Sequence, residues 1–327
     1  MRRCNGHVVR SPWASLMSLL LLAPVAAAEA ASFAYVTNQG DHSVSVVDLT
    51  DGSIAATVPV GEAPAGVAVS RDGQRIVISD PQTRQVYLLD ADTHAVIAHG
   101  GAGQGPLGIA LSPDARRVYV ADWFEDQLLV LDASTLAPLG RVAVGDSPSG
   151  VAVSPDGKRV FVSDRDDNRI SVIDSDRLEV VARVPTGQRP FGLSVDPAGQ
   201  RLYVANVASN DVTVIDVDSL AAIATLPVGD TPYGVAVTPD GKRAFVTNQH
   251  DNSISVIDTE RLAVVAQVDV GEFPEGIIVG PNGALVYVAS WFSNELLVLD
   301  SRSLQVRQRI ATGDGPRAFG VFIAGGS

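Results

Sequence analysis

The sequence predicts an all-β, seven-bladed β-propeller with about 42 residues per blade. Three observations carry this. Short runs ending in aspartate recur at Asp48, Asp90, Asp132, Asp174, Asp216, Asp258 and Asp300, each 42 residues from the last. The same step links Tyr35, Val77, Tyr119, Phe161, Tyr203, Phe245 and Tyr287, and again Pro64, Pro106, Pro148, Pro190, Pro232, Pro274 and Pro316. Within each copy the apolar residues alternate with period two, as in half-buried strands, and no segment carries a helical period.

One copy holds strand-like stretches of the form "GVAVS", "RVFVSD" and "RISVID", separated by turn signals such as "SPDGKR" and "PTGQRPFG", and four strands of five or six residues with four short turns fill about 40 residues. Seven four-stranded units cannot end without exposed apolar faces unless they close on themselves, and a radial arrangement provides that closure. The repeats begin inside a unit, at "FAYVTN", and finish on "PRAFGVFI", which has the form of the first strand of the other units. The last strand is therefore expected to complete the first blade.

Repeated positions serve the blade. "GVAVS" keeps small residues at Ala68, Ala110, Ala152, Ser194 and Ala236, which places it innermost, where blades converge. The aspartates that end the third strand are expected to accept backbone N–H bonds in a turn rather than to do acid–base chemistry. The "SPDG" turns place glycine at residues 73, 157, 199, 241 and 283, where a left-handed backbone is needed. Ala115 replaces it in blade three, which predicts strain of about 1 kcal/mol or a different turn.

"YVTN" at Tyr35–Asn38, "FVTN" at Phe245–Asn248 and "YVAN" at Tyr203–Asn206, with "GVAVSPDG" and "SVID", resemble the YVTN family of β-propeller repeats over about residues 32–323. WD40 repeats are excluded by the missing Gly-His and Trp-Asp pairs. The resemblance implies a seven-bladed propeller, commonly exported by bacteria, and implies no single activity.

The first thirty residues read as a secretory signal peptide. Arg2, Arg3 and Arg10 precede the apolar run "ASLMSLLLLAPVAAAEA", with cleavage expected after Ala30. The expectation is a periplasmic protein without a membrane anchor. Cys4, the only cysteine, lies inside the segment to be removed, so the mature chain has no thiol. Loss of that segment moves the net charge from −13 to about −15, which disfavours nucleic acid as a partner. A monomer is expected.

Function on a repeat scaffold belongs where copies diverge. The residue between Pro and Gly in the loop leading into the innermost strand reads Ala65, Leu107, Ser149, Phe191, Tyr233, Glu275 and Arg317 around the ring. Two aromatics, an acid and a base give one side of the channel mouth a distinct chemistry. Arg189 and Phe273 lie in the same loops. Glu275 and Arg317 fall on adjacent blades, as a solvated rim pair or as the charged anchors of a ligand site. "ADWFEDQLLVLD" and "ASWFSNELLVLD" place Trp123 and Trp291 in blades three and seven, nearly opposite across the axis. Their indoles can pack on neighbouring blades or overhang the mouth.

Metal and cofactor chemistry find no pattern here. His94 and His99 belong to outer strands, and His42 and His250 are lone loop residues without ligand spacing. No nucleophile elbow, phosphate loop or dinucleotide fingerprint is present. Exported propellers of similar form include lactone hydrolases and lyases that use histidine and acids at the mouth, but no matching spacing transfers here. Quinone-dependent propellers carry larger, Trp-rich blades, and a haem propeller would have only His42 and His250 for axial ligands. The expected function is a binding module holding a small molecule, a peptide or a periplasmic protein at Phe191, Tyr233, Glu275, Arg317, Arg189, Phe273, Trp123 and Trp291. The alternative is a hydrolase or lyase pairing Glu275 with His250 or His42.

Overall fold

The period-two pattern becomes twenty-eight strands and no helix in a computed structural model that describes residues 1–3 and 33–324. Apart from residues 1–3, the stretch expected to be a signal peptide lies outside the described residues, and so does Cys4. Seven antiparallel sheets form the blades. In blade four, the strands Pro148–Val153, Arg159–Asp164, Arg169–Asp174 and Glu179–Pro185 run from the channel outward. The second and third strands are almost entirely buried, whereas the outermost alternates exposed with half-buried residues and buries only Val184. Side chains such as Val160, Phe161, Ile170 and Ile173 therefore fill the spaces between blades, and fully burying each stabilises by about 1.5–3 kcal/mol.

Closure takes the expected route. Blade one contributes Phe33–Asn38, Ser43–Asp48 and Ile54–Pro59, and the segment after Pro316 supplies its innermost strand. Tyr35 N donates to Phe322 O and Arg317 N to Thr37 O, both at 2.9 Å. The closing strand, Phe319–Val321, also runs parallel to Gly66–Val69 of blade two, so it ties two blades together.

The innermost strands converge so closely that a side chain at the glycine of the Pro-x-Gly loop has no room. A Cβ at Gly108 would strike the Ser149 carbonyl of the next blade, and one at Gly192 would strike that of Tyr233. The repeated hydroxyl of the second strand uses the same closeness. Thr37, Ser79 and Thr247 donate to the carbonyls of Ala65, Leu107 and Glu275 at 2.9, 2.5 and 2.9 Å. Each bond fixes the backbone of a mouth residue on the neighbouring blade.

The third-strand aspartates are turn acceptors, as expected. Asp132 Oδ1 accepts from the N–H groups of Ser134 and Thr135, both at 2.9 Å, and Asp300 Oδ1 accepts from Ser303 N at 2.8 Å. Ala115 keeps the glycine turn rather than adopting another. Its N–H reaches Ser112 O at 2.8 Å, as Gly157 reaches Ser154, and its φ is +54°. Of the two expected outcomes, the backbone takes strain.

Candidate functional site

Two rings of residues meet at one end of the channel. The inner ring is the Pro-x-Gly position read from the sequence. The other is the residue just past the second strand, where Trp123, Arg165, Gln249 and Trp291 stand at 42-residue steps or multiples of them. Backbone bonds pin the second ring to the lead-in loops: Trp123 N donates to Gly105 O (2.9 Å), Gln249 N to Thr231 O (3.0 Å) and Trp291 N to Phe273 O (3.0 Å).

An aromatic plug closes the channel beneath these rings. Phe191 and Tyr233 lie 4.3 Å apart between ring centroids, and Phe319 sits 5.1 Å from the first and 5.6 Å from the second. Phe319 comes from the closing strand, two and three blades away from these partners, so its ring reaches across the axis. Its backbone accounts for this reach. Ala318, which replaces the loop glycine, has φ +47°, and Gly320 has φ +126°; none of Gly108, Gly150, Gly192, Gly234 and Gly276 is left-handed. With Ala65 and Leu107 the three rings form a separate apolar cluster. A cavity of about 490 Å³ lies on the far side, lined by the inner strands and the Ser-Pro-Asp turns.

On the near side is a second cavity, of about 370 Å³. Trp123, Phe124, Phe191, Tyr233, Leu107, Val207 and Pro81 wall it, and Arg165, Arg317 and Gln249 face it. The Glu275–Arg317 pair is not a solvated rim pair. Glu275 is 4 % exposed, and Arg317 Nε donates to its Oε2 at 2.7 Å while Gln249 Nε2 donates to Oε1 at 3.0 Å. Arg317 also donates through Nη2 to the Tyr233 hydroxyl, and its guanidinium stands 5.4 Å from the Trp291 ring centroid. Burial pushes the Glu275 carboxyl above its ordinary range, and Arg317 pulls it back. Burial likewise raises the Tyr233 hydroxyl. Burial opposes the charge on Arg317, but Glu275 and Tyr233 outweigh it and keep the guanidinium protonated.

Both indoles turn inward. Trp123 lines the cavity, 6.3 Å from Phe191, with the Arg165 guanidinium 5.3 Å from its ring. Trp291 is not a cavity wall but backs Arg317. Arg189 and Phe273 are placed differently from the other expected residues. Arg189 is exposed, with its Nε 3.8 Å from Asp166, and Phe273 stacks between His250 (5.7 Å) and Phe292 (5.1 Å) on the rim. Both belong to the lead-in loops but do not line the cavity.

The pairing of Glu275 with a histidine is not formed. His250 Nδ1 lies 3.0 Å from Thr231 Oγ1 and 3.6 Å from Asp230, and the His42 ring contacts the Glu62 carbonyl. Arg165, Gln249 and Phe319 had no place in the sequence-based site. The 42-residue step from Trp123 marks Arg165 and Gln249, and "PRAFGV" in place of "PxGVAV" marks Phe319.

The comparisons agree with this architecture. The family model described as "Lactonase, 7-bladed beta-propeller" matches residues 102–221, less than half of the chain. No curated protein matches. Among solved structures, hydrazine synthase of Kuenenia stuttgartiensis is similar with a TM-score of 0.77 and 23% identity, over 83% of this chain and 92% of that one. A functionally unknown protein from Desulfotomaculum acetoxidans DSM 771 gives 0.76 at 15% identity, over 88% and 99%. Dihydro-heme d1 dehydrogenase NirN in complex with DHE gives 0.67 at 20% identity, over 94% and 77%. The chain is a seven-bladed propeller. At these identities the solved structures speak for the fold alone.

Proposed function

We propose that this is an exported, periplasmic binding propeller whose mouth holds a small, planar, aromatic molecule bearing a carboxylate or similar acceptor. The observation that carries this is the 370 Å³ cavity, in which four aromatic side chains converge with two guanidiniums above a closed apolar floor. Small-molecule sites are built in this way, with apolar walls and a few placed polar groups. Trp123 and Phe191 offer flat faces for stacking. Arg165, 20 % exposed and bonded at 2.7 Å to Asp166 beside it, has donors to turn toward a ligand. Arg317 is held in place by Glu275 and presents its remaining N–H groups.

Calorimetric titration with naphthalene-2-carboxylate tests the proposal. The anion is expected to bind at least tenfold more tightly than 2-naphthylmethanol, and Arg165→Met is expected to remove that preference, since a bond to a charged group contributes about 1.5–3 kcal/mol. Equal affinities for the two probes, or an unaffected Arg165→Met protein, would overturn it.

The match to the lactonase family over residues 102–221 favours one other reading, lactone hydrolysis at the same mouth. Water would add to the carbonyl carbon of the ring ester and the ring C–O bond would break to give the hydroxy acid, with the Arg165 and Arg317 guanidiniums beside the carbonyl oxygen. Acid release from a δ-lactone in a pH-stat, abolished in Arg165→Met protein, would establish it. No acid release would leave binding as the function.

A further inference from the structure

The rim around the mouth carries large apolar side chains that stay mostly exposed to solvent. Phe124 and Phe292, next in sequence to the two tryptophans, are 71 % and 63 % exposed. Phe292 continues through Phe273 to His250, forming an aromatic ridge over blades six and seven. Phe124 stands over the backbone of Gly105 beside the cavity. Contiguous exposed aromatics at a concave mouth mark an interaction surface.

Charge identifies the occupant. One exposed lead-in position reads Glu62, Gln104, Asp146, Gln188, Asp230, Glu272 and Asp314 around the ring, five carboxylates and no base. Only 37 of the 327 residues are acidic, so five in seven is far from the chain's average. The fold does not ask for acids there, because it is the backbone N–H that makes the structural bond. Glu62 N donates to Asp80 (2.6 Å), Asp230 N to Asp251 (2.7 Å) and Glu272 N to the Ser293 hydroxyl (2.7 Å). The glutamines at two positions make the same backbone bonds, Gln104 N to Asp122 and Gln188 N to Ser209. The carboxylates make no bond that the blade requires and are exposed toward a partner, although that of Asp230 also accepts from Thr231 Oγ1 at 3.1 Å and lies 3.6 Å from His250 Nδ1.

From this pairing of exposed aromatics with a surrounding carboxylate ring, we propose that the mouth face docks a protein partner through a lysine- and arginine-rich surface with an apolar centre. The central phenylalanines supply the buried contact and the outer ring steers and orients the partner, as charged rims do at protein interfaces. This rests on the rim and not on the occupant of the cavity.

The test uses the full-length protein with a fluorescein-labelled peptide, KKFKKFKK, read by anisotropy at two salt concentrations. The ring variant is E62Q/D146N/D230N/E272Q/D314N, and a control, D92N/D176N/E179Q/D218N/E260Q, removes as much charge from exposed positions away from this face. The ring variant is expected to lose at least tenfold in affinity and most of the salt dependence, with the control within twofold of wild type. Phe124→Ser/Phe292→Ser is expected to weaken binding at least fivefold with an unchanged salt slope. Equal losses in ring and control variants, no effect of the phenylalanine pair, or no binding by wild type would each overturn the proposal. Naphthalene-2-carboxylate binding retained in the ring variant separates its failure from failure of the ligand site.

Discussion

Glu275 and Arg317, 42 residues apart on adjacent blades, form a buried ion pair at 2.7 Å that also supports the wall of the mouth cavity. Each partner answers the other's desolvation: Gln249 completes the carboxylate and Tyr233 completes the guanidinium. Breaking such a pair from one side leaves a buried charge and costs about 3–5 kcal/mol. Arg317→Met is therefore expected to lower unfolding stability by that amount in urea titrations. The double variant Glu275→Met/Arg317→Met should recover more than half of the loss. A single variant as stable as wild type would show the pair to be solvated.

Thr247 holds Glu275 from behind, donating to its carbonyl at 2.9 Å and accepting from Gly234 N at 2.8 Å. Thr247→Val keeps the shape and leaves both buried backbone groups without this partner. A loss of about 1–3 kcal/mol is expected in denaturant unfolding.

At Ala115 the usual sign reverses. Ala to Gly normally destabilises through the unfolded chain, but φ at +54° costs an L-residue roughly 1–2 kcal/mol. Ala115→Gly should raise the melting temperature slightly, while Gly157→Ala, at φ +75°, should lower it. Thermal melts of the two variants side by side check this, and parallel shifts would refute it.

Acid should unfold the ring through its turn aspartates. Bonds from Thr93, Ser134, Arg177, Ser219 and Ser303 hold Asp90, Asp132, Asp174, Asp216 and Asp300 below the ordinary 3.8. A folded pKa below the unfolded one means stability that is complete above about pH 4 and lost as pH falls through that range. Glu275, raised above 4.5, acts in the opposite sense, favouring the folded state at lower pH and losing that contribution as pH rises. Asp51, Asp72, Asp114, Asp156 and Asp240 are lowered as well and buried Asp164 is raised, so ten lowered carboxyls stand against two, and the melting temperature should hold near neutrality and drop below pH 4. A flat profile down to pH 2.5 would mean that these bonds do not favour the ionised form.

The blades were legible in the sequence because each strand's environment repeats every 42 residues, so alternation and turn chemistry agree in every copy. Adjacency of Glu275 and Arg317 followed from the same period. Their burial did not, since the bonds that complete the pair come from Gln249 and Tyr233 of a third blade, which only the closed ring brings to it. The direction of Trp123 and Trp291 was equally hidden. Each indole is turned inward by a guanidinium on a different blade, Arg165 for one and Arg317 for the other, and such a contact has no local signature. Arg189 and Phe273 share a loop with cavity residues, but their left-handed backbone, at φ +55° for both, sends the side chains to the rim.

Phe319 belongs to the strand that locks the ring, and Arg317 lies two residues before it. The floor of the cavity and the latch of the fold are thus one segment, following every other strand in chain order. An unlatched ring would have blades but no binding site, so ligand affinity would report on whether the circle has been joined.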